Sequence, residues 1–239
     1  MRLLISVRNA IEATRAVAGG ADIIDAKEPL GGSLGAVAPA LLAAIRDAVP
    51  AHLQLSAALG DIATAEEPIR ALATVTVPLS FVKFGFRGVS DPTRIAALLS
   101  HAVDRSASVP GRPGVVAVAY ADHRRAESLA PEAFPGLVAD AGAEGLLLDT
   151  CFKGGPRLFD LIDAAGLAGI GRALAAHEAL FALGGSLAAA EIRAAGATGA
   201  GIFGVRGAAC RGGRTGEIDQ DLVGELAQAI RHQGALSSY

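Results

Sequence analysis

Apolar residues in this chain gather in short runs that are separated by amphipathic segments. Each run has the length of a β-strand and lacks helical periodicity. Runs this continuously apolar suit strands that are buried on both faces, as in a parallel sheet covered by helices. We therefore predict eight strands, at 2–7, 21–27, 52–59, 81–86, 114–121, 145–150, 179–185 and 199–207.

The segments between the runs carry helix start signals. Asn9 with Glu12 three residues later fits an N-cap and its capping-box partner. The other predicted N-caps are Asp91, which precedes Pro92, Ser186, which precedes a helix ending at Gly196, and Asp219, which opens the last helix. Each predicted strand is thus followed by a predicted helix.

Eight strand–helix units in 239 residues fit a closed (β/α)8 TIM barrel, and an open, doubly wound sheet is the alternative. No linker, charge run or low-complexity tract divides the chain. We therefore predict a single α/β catalytic domain over residues 1–239.

Composition narrows the function classes. A net charge of -3 provides no strong field to attract nucleic acid or acidic membranes. No apolar run approaches the roughly 18 residues of a membrane span. The N-terminus turns polar at Arg8, unlike a signal peptide, and two cysteines make no disulfide framework. We expect a soluble, cytoplasmic protein that binds neither nucleic acid nor membranes.

Lysine is rare: of 21 basic Lys and Arg residues, only Lys27, Lys83 and Lys153 are lysine. A coding bias from Lys to Arg explains the scarcity but not where lysine is kept. Arginine substitutes for lysine as a solvated charge, but not as an amine that must lose its proton. All three lysines fall in or just after even-numbered strands, and active sites of such barrels lie at the C-terminal strand ends. We expect the three amines to converge on one cavity.

Two aspartates accompany the lysines. Asp25 and Lys27 are two residues apart on the second strand, so both are predicted to point inward. Asp149 ends the sixth strand, close to Lys153 in the loop that follows. Lys27 is a candidate Schiff-base former, because desolvation and neighbouring cations favour the free amine. A buried Asp25–Lys27 ion pair with a purely structural role is the alternative.

Glycine-rich loops are the candidate phosphate sites. The loops after strands seven and eight form the usual phosphate site of these barrels, and glycine lets the backbone approach an oxyanion. A "GGS" sequence after the second strand is a candidate for a second site. The predicted phosphate-binding residues are Gly184, Gly185, Ser186, Gly204, Arg206 and Gly207, and, in the earlier loop, Gly31, Gly32 and Ser33.

The histidines show no metal-ligand spacing, and no carboxylate cluster joins them, so no metal site is predicted. Cys151 and Cys210 are interpreted as small buried hydrophobic residues rather than nucleophiles.

Five segments together resemble one known family over nearly the whole chain. They are "LISVRNAIEA", "DIIDAKEPLGGSLGA", "FVKFGF", "LLLDTCFK" and "FGVRGAAC". The combination of "DAKEP-GGSLGA" with a downstream "DT--K" is similar to the (5-formylfuran-3-yl)methyl phosphate synthase family of methanofuran and methylofuran biosynthesis.

The resemblance implies a lyase without metal or organic cofactor. Such an enzyme condenses two molecules of glyceraldehyde 3-phosphate into 4-(hydroxymethyl)-2-furancarboxaldehyde phosphate, with loss of one phosphate and two waters. It implies that Lys27 forms the Schiff base, that Lys83 transfers protons, and that Asp25, Asp149 and Lys153 complete the active site. Family members can carry a further lysine near the end of the fifth strand, where this chain reads "AVAYADHRR".

Two other functions stay open. One is a different Schiff-base aldolase or isomerase acting on phosphosugars, and the other is a non-catalytic phosphate-binding barrel. The expected partner in each case is a small phosphorylated molecule, a triose phosphate in the first interpretation. The residues leave the oligomeric state open, a homo-oligomer included.

Overall fold

The computed structural model describes residues 1–236 and contains eight parallel strands that close into a barrel. Every strand pairs with its neighbours along the chain, and β8 pairs with β1 to complete the circle. The (β/α)8 TIM barrel is therefore confirmed. The strands are β1 (Arg2–Val7), β2 (Ile23–Ala26), β3 (Gln54–Asp61), β4 (Phe81–Gly85), β5 (Gly114–Tyr120), β6 (Gly145–Asp149), β7 (Leu180–Leu183) and β8 (Ile202–Val205).

Helices cover the outside of the barrel. They are α1 (Ala10–Ala18), α2 (Pro39–Ala48), α3 (Glu66–Leu72), α4 (Pro92–Ser106), α5 (His123–Ala126), α6 (Phe134–Asp140), α7 (Leu158–Leu161), α8 (Ala164–Ala175), α9 (Ile192–Gly196) and α10 (Gln220–Leu236). Single 3-10 turns lie at Pro29–Gly31, Pro131–Ala133, Ala189–Glu191 and Gly207–Ala209. A short antiparallel pair, β9 (Cys210–Arg211) with β10 (Glu217–Ile218), follows β8. No helix within residues 1–236 has the length and apolar character needed to cross a membrane.

Three of the four predicted helix caps are confirmed. Asn9 accepts a hydrogen bond from the Glu12 N–H at 2.9 Å, and Asp91 accepts one from the Thr93 N–H at 3.0 Å. Asp219 opens α10 by accepting from N–H groups of its first turn. The return bond of the predicted capping box differs, because the Glu12 carboxylate accepts from the N–H of Arg8 rather than of Asn9.

The prediction that Ser186 caps a helix is wrong. Its φ of 61° places Ser186 in the left-handed region, directly after Gly185 with a φ of 88°. The chain therefore makes a turn here, and α9 starts only at Ile192, after one 3-10 turn. The predicted end of this helix at Gly196 is confirmed.

The barrel interior divides into an apolar floor and a polar upper part. The floor contains buried side chains from most strands: Ile23, Phe81, Val116, Leu147, Ala182 and Ile202. Side chains two residues further along a strand point the same way but lie nearer its C-terminal end. On β2, β4 and β6 those positions hold Asp25, Lys83 and Asp149. On each of these strands, an apolar side chain in the floor is therefore followed two residues later by a charged side chain in the upper part.

Candidate active site

The C-terminal ends of the barrel strands surround one cavity of about 410 Å³. It is a size typical of small-molecule sites. Its wall contains every residue of the predicted catalytic set, which is Asp25, Lys27, Lys83, Asp149 and Lys153. The three lysines of the chain therefore do meet in one cavity, although they lie on different strands and loops.

Lys27 carries an amine that no described residue binds. It follows β2 directly, and its Nζ makes no hydrogen bond or ion pair within residues 1–236. Burial lowers the pKa of Lys27 from 10.5 to about 8; Asp149 opposes this shift, and Lys153 adds to it. A lysine with such a pKa is partly present as the free, nucleophilic amine near neutral pH.

Asp25 pairs with Lys83 rather than with Lys27. The Lys83 Nζ lies 2.5 Å from the Asp25 Oδ1, and both side chains are buried. Hydroxyl groups of Ser56 and Ser6 also donate to this carboxylate, at 2.8 Å and 2.9 Å. The structural Asp25–Lys27 ion pair considered from the sequence is therefore absent, and Lys27 stays available for chemistry.

The two serines hold Asp25 through strand register. Ser6 on β1 and Ser56 on β3 are the residues paired with Asp25 across the sheet, one on each side. Their hydroxyls approach different carboxylate oxygens, which fixes the orientation of the group. Sequence reasoning missed both serines. The available signal was a serine on each strand flanking β2, but the register that aligns them is a property of the fold.

Asp149 and Lys153 form the second charged pair of the cavity. The Lys153 Nζ lies 2.6 Å from the Asp149 Oδ1 and also donates to the carbonyl of Thr150 at 2.7 Å. Burial raises the pKa of Asp149, but the ammonium groups of Lys153 and Lys27 outweigh it and lower the pKa overall. Asp149 is therefore an ionised carboxylate that both lysines favour.

The loops after β7 and β8 offer backbone donors to the cavity. No acceptor within residues 1–236 pairs with the N–H groups of Gly185, Ser186 and Leu187, or with those of Gly207 and Ala208. All of these residues line the cavity, as do the predicted Gly184 and Gly204. Unpaired N–H groups in a glycine-rich turn that lines a cavity are typical of anion-binding sites. The arrangement can therefore hold a phosphate without a helix N-terminus.

Arg206 does not have the surroundings expected of a phosphate ligand. Its guanidinium donates to both Glu12 oxygens, at 2.8 Å and 3.1 Å, and both side chains are buried. Its remaining N–H groups donate to the carbonyl oxygens of Ser6, Arg214 and Gly216. Since a guanidinium has five N–H donors, all are taken. The side chain therefore fastens the β8 loop to α1, and its guanidinium has no free donor for a phosphate.

The early glycine loop lies outside the main cavity. Gly31, Gly32 and Ser33 line a separate, smaller recess together with Asp61 and Arg87. Ser33 is buried and within 3.4 Å of the Tyr120 hydroxyl, which donates to Asp61 at 2.6 Å. A phosphate bound at these glycines would be in a different recess from Lys27, so the structure gives no support to a second substrate phosphate site there.

The end of β5, where the family resemblance led us to look for a further lysine, carries Tyr120. Its side chain is fully buried, and burial together with the Asp61 carboxylate raises its pKa. Gly85 makes room for this pair, because a Cβ there would come closer than 3.0 Å to Asp61, Tyr120 and Leu34. The tyrosine thus ties β5 to β3 through its hydrogen bond to Asp61.

The two cysteines and a possible metal site are the remaining candidates considered from the sequence. Cys151 and Cys210 are both buried, and burial raises the pKa of Cys151 to about 11, which keeps its thiol protonated. Within residues 1–236, no group of three or more His, Cys, Asp or Glu residues has an arrangement that would hold a metal ion.

Comparison with known proteins gives a consistent family match. The model of the family described as 4-HFC-P synthase matches residues 3–227. A protein of Methanocaldococcus jannaschii named (5-formylfuran-3-yl)methyl phosphate synthase is 38% identical, over 97% of this chain and 100% of its own length. A protein of Methanothermobacter thermautotrophicus with the same name is 35% identical, over 96% and 99%.

Solved structures with low sequence identity share the fold. A 3-hexulose-6-phosphate synthase from Salmonella typhimurium aligns with a TM-score of 0.68 at 16% identity, covering 98% of this chain and 100% of that one. A phosphoribosyl anthranilate isomerase from Thermus thermophilus aligns with a TM-score of 0.61 at 18% identity, covering 99% and 100%. At this identity the likeness extends to the barrel alone.

Proposed function

The chain belongs to the 4-HFC-P synthase family, and we propose that it is a lyase that condenses two molecules of glyceraldehyde 3-phosphate. The product is 4-(hydroxymethyl)-2-furancarboxaldehyde phosphate, which is (5-formylfuran-3-yl)methyl phosphate. Two trioses lose one inorganic phosphate and two waters in this reaction. Carbon, oxygen and phosphorus then balance with no external oxidant or reductant, so the proposal includes no cofactor.

One observation carries the proposal: the unpaired amine of Lys27, with its pKa near 8, stands in the same cavity as unpaired backbone N–H groups suited to phosphate. A Schiff base needs a free amine beside a carbonyl carbon, and a phosphosugar substrate needs an anion site within reach. The other two lysines of the cavity are each paired with a carboxylate. Lys27 is therefore the proposed nucleophile.

The product's carbon skeleton limits the order of bonds. The furan can be cut into two unbranched three-carbon units in only one way, which joins carbon 3 of one triose to carbon 2 of the other. Carbon 3 of the first triose carries the phosphate that leaves. We therefore propose that phosphate departs from the same triose that becomes the aldehyde end of the product.

Lys27 makes that departure feasible. Its amine adds to the aldehyde carbon and expels water, and the resulting iminium withdraws electrons from carbon 2. Loss of the carbon 2 proton gives an enamine, whose electrons can then expel phosphate from carbon 3. Carbon 2 of the second triose then loses its proton to give an enediol, whose electrons form the new bond to the electron-poor carbon 3. The carbon 2 oxygen of the first triose adds to carbon 1 of the second to close the ring, and loss of two waters gives the furan. Hydrolysis of the iminium returns the Lys27 amine and the product aldehyde.

The charged pairs supply the proton transfers. We propose that Lys83, held by Asp25, moves the proton at carbon 2, and that Asp149 with Lys153 serves the later dehydration steps. Positioned acid–base groups typically contribute about 10²–10⁴-fold each. The Asp25 carboxylate is suited to holding Lys83 in place for this proton transfer, since two serine hydroxyls and the Lys83 ammonium fix its orientation.

Product analysis tests the function. The enzyme is incubated with glyceraldehyde 3-phosphate, and the mixture is followed by ultraviolet absorbance, mass spectrometry and phosphate release. We expect a conjugated furan aldehyde and one phosphate for every two trioses consumed. Lys27→Arg, which keeps a positive charge, should give neither. Release of a non-chromophoric sugar phosphate without inorganic phosphate would instead identify an aldolase or isomerase.

A further inference from the structure

The cations around the cavity differ in whether a carboxylate neutralises them. Six line it within the described residues: Lys27, Lys83, Lys153, Arg157, Arg206 and Arg214. Four of them form ion pairs, which are Lys83 with Asp25, Lys153 with Asp149, Arg157 with Glu191 and Arg206 with Glu12. Only Lys27 and Arg214 have no carboxylate partner in that part of the chain. Lys27 is the proposed nucleophile, so Arg214 is the unassigned charge.

Arg214 lies on the turn between β9 and β10 and reaches across the barrel mouth to the loop after β2. Its guanidinium donates to the carbonyl oxygens of Pro29 and Gly32. Three of its five N–H groups then have no acceptor among residues 1–236. Asp149 and Glu28 act on Arg214 at longer range, but neither carboxylate forms an ion pair with it. A half-buried guanidinium with unused donors and no ion-paired carboxylate is a site that an anion would complete.

The backbone of Arg214 is held beside the anion-binding N–H groups of the β8 loop. A Cβ on Gly207 would lie 3.7 Å from the Arg214 nitrogen, so the two chain segments are in contact. The Arg214 carbonyl accepts from the Arg206 Nε at 2.7 Å. Because the Arg206 side chain is itself fixed by Glu12, these contacts fix the position of the Arg214 backbone relative to the β8 loop.

We propose that Arg214 is the side-chain cation that binds a substrate phosphate, next to the backbone N–H groups of Gly207 and Ala208. It takes the place that the sequence assigned to Arg206, whose donors are all used. The proposal rests on the proposed function in one respect, which is that the substrate is a phosphate ester. Guanidinium groups suit this task because their fork of donors matches two phosphate oxygens at once.

The same residue links phosphate binding to the loop that follows Lys27. Pro29 and Gly32, its carbonyl partners, lie within five residues of that lysine. An anion bound on the free face of the guanidinium would hold the side chain in place, and the two carbonyl contacts would hold the loop to it. Arg214 thereby also acts as a positioning residue for the β2 loop.

The first test uses ligands that cannot form a Schiff base. Binding of inorganic phosphate and of glycerol 3-phosphate is measured by calorimetry for the wild type, Arg214→Gln and Arg211→Gln. Arg211 is a matched control in the same segment: it is exposed, pairs with Asp219 and does not line the cavity. We expect Arg214→Gln to weaken binding about ten- to one-hundred-fold, the order of a charge-assisted hydrogen bond. Equal affinity in the two variants would overturn the proposal.

The second test needs no variant and therefore does not depend on whether Arg214→Gln folds. Phenylglyoxal modifies accessible arginines, and peptide mass mapping locates the adducts. Saturating inorganic phosphate should protect Arg214 several-fold and leave Arg211 unprotected. Modification of Arg214 at the same rate with and without phosphate would contradict the assignment.

A comparison of two aldehydes separates phosphate binding from loop positioning. Borohydride trapping on Lys27 is measured with glyceraldehyde 3-phosphate and with glyceraldehyde, which has no phosphate. Arg214→Gln should slow the first reaction at least about ten times more than the second. Equal slowing of both would show a purely structural arginine. A wild type that binds glycerol 3-phosphate through Arg214 but makes no furan would refute the proposed function and leave this inference standing.

Discussion

The pKa of Lys27 should respond in opposite directions to two conservative substitutions. Its value near 8 has a large consequence for reactivity. At pH 7.5 about a quarter of a lysine with that pKa is free amine, against about one in a thousand for an ordinary lysine near 10.5. The fold therefore raises the reactive fraction roughly two-hundred-fold before any orientation effect.

Asp149 and Lys153 act on that pKa with opposite signs. The Asp149 carboxylate favours the Lys27 ammonium, and the Lys153 ammonium disfavours it. Asp149→Asn removes the first and leaves the charge of Lys153 without its partner, so the Lys27 pKa should fall by about 1 unit. Lys153→Gln leaves the Asp149 charge without its partner, so the Lys27 pKa should rise by about 1 unit.

Competitive labelling measures these shifts. Trace acetic anhydride acetylates only free amines, and mass mapping of the Lys27 peptide at a series of pH values gives the pKa as the midpoint of the labelling curve. We expect a wild-type midpoint near 8, with the two variants on either side of it. A wild-type midpoint close to 10.5, or movement of both variants in the same direction, would refute the electrostatic account of Lys27.

Three further substitutions test the packing around the site. Glu12→Gln leaves the buried Arg206 guanidinium without its counter-ion and should lower the free energy of unfolding by about 3–5 kcal/mol in denaturant titration, whereas Glu217→Gln on the surface should produce no measurable change. Gly85→Ala forces a methyl group into a filled space and should cost about 1–3 kcal/mol, seen as a lower melting temperature. Lys27→Met should abolish activity yet raise stability by up to about 3 kcal/mol at pH 7, because it removes a desolvated ammonium. Since the folded-state pKa lies below the unfolded one, that gain should be complete below pH 8 and disappear as the pH approaches 10.5.

The sequence predicted the barrel well because its strands are marked locally. Seven of the eight predicted apolar runs contain an observed strand, and the run at 52–59 overlaps β3, which continues two residues further to Asp61. At β8 the observed strand, Ile202–Val205, is the centre of the predicted run 199–207. Gly199, Gly201 and Gly207 extend the apolar run at its two ends but lie outside the observed strand. The position of a strand follows from its apolar run, whereas the residues at which it begins and ends depend on pairing with the neighbouring strands.

The sequence could not predict which charges pair. Asp25 lies two residues from Lys27 in the chain, yet its carboxylate binds Lys83 from another strand. Arg206 lies in a glycine-rich loop typical of phosphate sites, but its partner Glu12 is 194 residues away. The sequence pattern accounted for Glu12 as a helix-capping residue and gave no sign of its ion pair with Arg206. Such pairs arise from closure of the barrel, which brings β8 beside β1.

Arg214 is a cavity residue that no pattern in the sequence distinguishes. It lies among several arginines and glycines after β8, and nothing in its local pattern separates it from Arg211. The structure separates them, because Arg211 is ion-paired on the surface and Arg214 faces the cavity.

The central claim is that Lys27 forms the Schiff base, and reductive trapping tests it most directly. The wild-type enzyme is treated with glyceraldehyde 3-phosphate and sodium borohydride, digested, and mapped by mass spectrometry. The account predicts one reduced triose adduct, on the peptide that contains Lys27, and none in Lys27→Arg. An adduct on Lys83 or Lys153, with Lys27 unmodified, would contradict it.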